Sequence, residues 1–191
     1  MHVDRHSVPT KTDVLGLCAS LREDGDAFWR GLDADWFWSR RGVPWSPADN
    51  VRHLTLSTAP VARALLIPRV LLRVLFGVSQ RPSRTWHVLR TAYLDRLAAG
   101  ATSGRYRPPL VDPPADPAAG QRRLVGAFEA TVRRLERAVG PWRDEDLDRY
   151  RLPHPTLGKL TLREMVMFTL FHCEHHRDNV ARRSAGQESG H

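Results

Sequence analysis

Apolar residues recur along this chain mostly at intervals of three and four, the pattern of amphipathic helices. A first segment runs from about Lys11 to Trp38, with Val14, Leu17, Cys18, Leu21, Phe28, Trp29 and Leu32 on its stripe. Gly25 and the acidic residues Glu23, Asp24 and Asp26 are expected to interrupt it. A second opens at Ser46-Pro47-Ala48-Asp49, a capping hydroxyl before a proline with an acid three residues after the cap. It runs toward Leu66 with Asn50, His53, Leu54, Ser57, Val61 and Leu65 on one face, and Pro60 predicts a kink or a lost hydrogen bond. A third covers about Ala118 to Val139, its stripe formed by Leu124, Phe128, Thr131, Leu135 and Ala138, and Gly140-Pro141 stops it. The last opens with the capping box Thr161-Leu162-Arg163-Glu164 and continues to about Arg182.

The stretch from 67 to 120 is less regular. Val70 to Phe76 predicts a short helix covering one end of the core, and Trp86 to Leu97 predicts another, ended by Gly100. Pro108 to Pro114 is too rich in proline for helix or central strand and reads as an extended surface connection. Trp142 to Tyr150 reads as a short turn or helix, and no segment reads as a strand. The expected fold is all-α: a four-helix bundle with a long helical and proline-rich connection between the second and third core helices. The 191 residues suit a single domain, with a core over about residues 11–182 and flexible termini at 1–10 and 183–191.

Composition adds exclusions. The 41% hydrophobic and 26% charged content is globular, and no apolar run approaches the roughly 20 residues of a membrane helix. No apolar run follows the charged first ten residues, so no cleaved signal peptide is expected. Two cysteines, Cys18 and Cys173, make no disulfide framework, and the expected compartment is the cytoplasm. The balance is basic, formally +8, and nearly all the cations are arginines. They are scattered and come with no recognition helix, zinc finger or RNA-binding signature, so they read as a solvated surface and no specific nucleic-acid partner is expected.

The chemistry concentrates on the last helix. Met165, Thr169, His172, His176 and Val180 share one stripe, so two imidazoles one turn apart sit where the apolar seam should continue. Such a pair converges on one point and suits a metal ion, and a third ligand must come from another helix. His53, on the core-facing side of the second helix, is that candidate. Three nitrogens leave positions open for water or substrate, the catalytic rather than the closed structural arrangement. The competing reading is a set of core histidines with satisfied hydrogen bonds. His172-Cys173-Glu174-His175-His176 is not the zincin motif, because Cys173 stands where that motif has Glu. His175 is expected to be exposed, paired with Glu164 or a neighbouring helix, with ligation in place of His176 as the alternative, and Cys173 is expected to be a small buried side chain.

Trp45 through Leu54, His154 through Met165, and Phe171 through His176 together resemble, in order and in helix context, the DinB-like family of bacterial helical bundles. The resemblance spans about residues 11 to 182. It implies a four-helix bundle, often dimeric, holding a divalent metal through His53, His172 and His176; imidazole suits zinc, nickel, iron and copper alike, and zinc and nickel are the leading ions. It also implies similarity in fold to transferases and isomerases that use a low-molecular-weight thiol, and to metal-dependent hydrolases. The turn after the last histidine, Arg177-Asp178, departs from the family pattern, and the 67–120 segment is long for it.

Other residues carry lesser expectations. Trp45 and Trp142 read as staples packing helix ends, with an aromatic substrate wall as the alternative. Trp29, Trp36 and Trp38 read equally as core or as the face of a homodimer. His87 and His154 read as exposed, with lining the pocket mouth as the alternative; Glu164 reads as a cap, or as a partner of His53 if the helix brings it near, and Arg177 as a surface ion pair or a carboxylate anchor. Two functions lead, and a non-metal bundle that binds nucleic acid through its arginines comes third. One is an enzyme whose metal activates water or a thiol cofactor for hydrolysis or transfer on a small-molecule substrate, its catalytic groups beyond the metal unknown. The other is a non-catalytic stress-response or binding bundle with a structural or vestigial metal.

Overall fold

In the computed structural model, which describes residues 6–188, the chain is a bundle of helices with one small hairpin. The first predicted segment divides into α1 (Lys11–Gly31) and α2 (Ala34–Trp38). The break lies at Leu32-Asp33 and not at Gly25, which is buried inside α1, because the Asp33 carboxylate caps α2 by accepting from the Trp36 N–H at 2.9 Å. α3 (Pro47–Ala64) starts at the expected capping box, and the helix passes through Pro60. Then come α4 (Arg69–Phe76), α5 (Trp86–Ala98), a 3₁₀ turn at Gly104–Tyr106, α6 (Pro117–Val139) and α7 (Asp144–Arg149). The hairpin β1 (Arg151–His154) and β2 (Gly158–Thr161) leads directly into α8 (Leu162–Glu188). The flexibility expected of residues 1–5 and 189–191 lies outside the described residues. No helix among the described residues is long and apolar enough to cross a membrane.

The four core helices are α1, α3, α6 and α8. Backbone and side-chain ties give their directions. Gln121 Nε2 donates to the carbonyls of Trp29 and Leu32 while the Lys11 ammonium donates to Gly140 and Trp142, so α1 and α6 are antiparallel. Trp38 Nε1 donates to Pro117 and Trp142 Nε1 to Leu65, so α3 and α6 run the same way. Two consecutive core helices that run parallel oblige the chain to return along the length of the bundle between them. That return is the 65–116 segment, and it explains the length of the connection. Its proline-rich end packs tightly: a Cβ at Gly120 would collide with the Pro114 ring and lie 2.9 Å from Trp38.

Two expectations about this region are corrected. α4 does not cover the core, since only Leu72 is buried and Val70 and Val74 are more than 70% exposed. The strands of the hairpin are the second. Leu152 pairs with Leu160, both inward, and a three-residue loop joins His154 to Gly158, whose φ of 73° suits that turn. Four-residue strands carrying one proline are too short to show a period of two.

The aromatic residues divide as burial dictates. Trp29 and Trp38 belong to the core and only Trp36 of that trio is partly exposed, while Trp142 packs a helix end as expected. Arg163, 3% exposed, ties the start of α8 to α1 and α7 by donating to the Pro9 carbonyl, Asp144 and Asp148.

Candidate metal centre

The site forms where α3 and α8 cross the inner side of the return segment. The Ser46 capping box fixes the start of α3, with the Ser46 hydroxyl and the Asp49 carboxylate each satisfying the other's backbone N–H. That start places Asn50 and His53 on the inner face, one turn apart. The Thr161–Glu164 box does the same for α8 and presents His172 and His176.

His53, His172 and His176 come together as the spacing predicted, and their ligating atoms lie within 4.8 Å of one another. His172 Nε2 is 3.1 Å from His53 Nε2 and 3.2 Å from His176 Nε2. The outer nitrogens of His53 and His176 are engaged. His53 Nδ1 lies 2.9 Å from the Tyr106 carbonyl, which accepts only, so Nδ1 carries the proton. His176 Nδ1 lies 2.7 Å from Asn50 Oδ1, and Asn50 Nδ2 donates to the Ser46 carbonyl, so here too Nδ1 carries the proton.

These outer bonds leave Nε2 of both His53 and His176 as bare lone pairs aimed at His172 Nε2. That nitrogen holds at most one proton, so at least one of the two short N···N contacts sets lone pair against lone pair. A proton added to one ring would relieve a contact, but burial opposes it. Burial lowers the pKa of all three, furthest for His172 and His176, where neighbouring imidazoles add to the effect. Three neutral, oriented imidazoles short of a proton are a donor set for a cation. The spacing suits it, since nitrogens about 2.0–2.1 Å from a tetrahedral zinc lie roughly 3.3 Å apart.

Trp45 stands against this cluster, its ring centroid 4.9 Å from that of His53 and stacked at 6.0 Å on His176. It is therefore a wall of the site and not the helix-end staple expected. Tyr93 of α5 meets His172 edge-on at 5.8 Å, and Phe168 stacks on the same ring at 5.3 Å.

A cavity of about 480 Å³ opens from the three histidines and is roofed by α5, the 3₁₀ turn and the hairpin. His154, expected to be exposed, lines it. Its Nδ1 accepts from the backbone N–H groups of Thr156 and Leu157, which closes the hairpin loop, and burial lowers its pKa to about 4. His175 also lines the cavity, with Nε2 accepting from Asn179 Nδ2 at 2.9 Å; it does not meet Glu164. Cys173 is buried beside Thr58, His87 is exposed, and Arg177 pairs with Asp178 at 3.0 Å outside the cavity. Glu164 is held by Arg81 and Arg84, away from the imidazoles. Among the described residues, no carboxylate lines the cavity.

Sequence reasoning placed Asn50 on the correct face without giving it a role. The signal was its position three residues before His53. The Tyr106 carbonyl is a backbone group far along the chain, and nothing in local pattern announces it.

The family model of the DinB superfamily matches residues 19–179, a span that includes all three histidines and the whole return segment. No curated protein and no solved structure matches the chain.

Proposed function

The chain belongs to the DinB superfamily, and from that premise we propose that it holds one divalent metal ion through His53, His172 and His176 and uses it to act on a small molecule. The observation that carries the reading is the shortage of protons among three converging Nε2 atoms, two of which, on His53 and His176, belong to rings whose outer nitrogens are already bonded. A divalent ion at such a site lowers the pKa of a bound water or thiol and polarises a carbonyl.

The protein's own groups have separable tasks in this reading. The Tyr106 carbonyl and Asn50 Oδ1 hold His53 and His176 in the tautomer that presents Nε2, as outer partners of metal-bound imidazoles do. Trp45, Tyr93 and Phe168 exclude water from the imidazoles. With no carboxylate in the cavity, the basic groups beside the ligands are His154 and His175, both neutral at physiological pH because burial lowers their pKa. This favours a nucleophile whose proton is lost on coordination, a thiol above all, over one needing a strong protein base. Zinc and nickel are the proposed ions, and the proposed setting is the cytoplasm, which suits free Cys18 and Cys173.

Cobalt(II) substitution tests the reading. The cobalt protein is expected to show a tetrahedral or five-coordinate visible spectrum, and a small thiol is expected to add a sulfur-to-cobalt band in the near ultraviolet. Failure to take up cobalt contradicts the metal site. Uptake without a thiol band or any hydrolytic turnover favours the second reading, a metal that serves folding alone.

A further inference from the structure

The cavity has two chemically different ends. Asn50 meets His176 and Thr58 meets Cys173, so α3 and α8 are antiparallel where they flank it. The residues facing the cavity run from His53 to Ala64 on α3 and from His176 back to Met165 on α8. Each run spans twelve residues, a rise of about 16 Å between its ends. The cavity is therefore elongated, with the histidines at one end. Arg105 lines it too, and the next residue, Tyr106, holds His53. At the other end stand Ala64, Ile67, Phe76, Leu152 and Met165, all apolar.

On α3 and α8 the hydroxyls between the two ends are already engaged. Ser57 Oγ donates to the Leu54 carbonyl at 3.2 Å and Thr169 Oγ1 to the Met165 carbonyl at 2.9 Å, each within its own helix. The α3 and α8 walls thus have little to exchange with a polar ligand body, and the apolar far end has nothing. Burying polar groups there would leave them unsatisfied, whereas burying methylenes is favourable.

We infer that the cavity takes a single-tailed anionic amphiphile. Its carboxylate or thiolate head sits at the histidine end near Arg105, and an aliphatic tail on the order of ten carbons lies between α3 and α8 toward Ile67 and Phe76. The head's position rests on the proposed metal reading; the tail's rests on the shape and lining of the cavity alone.

The test is calorimetric titration of zinc-treated protein with n-alkanoates from butanoate to dodecanoate, with zinc content measured in parallel. Affinity is expected to rise about 4-fold per added methylene and then level off. Ala64→Trp is expected to bring the plateau to shorter chains without changing zinc content or the affinity for butanoate. Phe76→Ala, on the same wall, is expected to move it to longer chains. Affinity independent of chain length overturns the inference, as does a length dependence that neither substitution shifts. A length dependence that persists in protein carrying no zinc supports the tail site while contradicting the metal reading, so the two fail separately.

Discussion

α8 carries two buried polar clusters, two to three turns apart, and they are built on opposite logic. At its start the Glu164 carboxylate, wholly buried, accepts from both guanidinium nitrogens of Arg81 at 2.6 and 2.9 Å, from Arg84 Nε at 2.9 Å, and from the N–H groups of Arg84 and Thr161. Burial acts to raise its pKa, but these donors outweigh it and hold the carboxyl at about 2. Further along, His53 and His176 bond outward in good order, while inward the three imidazoles share at most one proton between two short contacts. The first cluster is complete with the chain's own groups. The second is left short of a proton by the chain's own groups. A buried polar group that is fully partnered serves the fold, and one oriented yet short of a partner points to a ligand.

The largest effect that sharpens this contrast is expected at the complete cluster. Glu164→Ala strands two arginines and should cost about 3 kcal/mol in urea unfolding, the low end for a broken buried pair because Arg81 reaches solvent. Zinc bound per folded molecule should not change, and a loss of zinc would break the division of labour between the clusters.

A smaller effect is expected from Asn50→Ala, which frees His176 to rotate and change tautomer. Competition with a chromophoric chelator should show zinc affinity weakened about 10- to 100-fold, with the fold intact. Unchanged affinity would mean that the outer bonds do not prepare the imidazoles.

The smallest effect is in pH dependence. His154 has its folded pKa at about 4, below its ordinary 6.5, so the unfolded chain binds more protons in that window and stability falls as pH drops from 6.5 to 4. Glu164, at about 2 against 4.5, loses its contribution only as pH falls from 4.5 toward 2. Unfolding free energies of His154→Gln should show a shallower slope in the upper window and the same loss in the lower one. An unchanged upper slope would contradict the burial of His154.

The pattern of three and four was enough to place the long helices and the imidazoles, because both follow from which residues share a face. Ser46 and Thr161 marked where their helices begin, and so set the rotation that aims His53, His172 and His176 at one point. What could not be read depended on contacts remote in sequence. The break at Asp33 was masked by a continuous apolar stripe. The hairpin was hidden by its shortness and by Pro153. Trp45 became a wall and not a staple because α8 brings His176 beside it, and His154 became a lining residue because the loop it caps folds over the cavity. The exposed apolar face of α4, whose Val70 to Phe76 run reads as core by composition, shows that hydrophobicity alone does not decide burial.

The central claim is that the three imidazoles are a metal site and not merely core histidines. Elemental mass spectrometry on tag-free protein, wild type beside His172→Ala, each incubated with zinc and nickel and desalted, tests it most directly. The account predicts about one ion per chain in wild type and close to none in the variant. Wild-type protein without metal, or a variant that keeps it, would contradict the account.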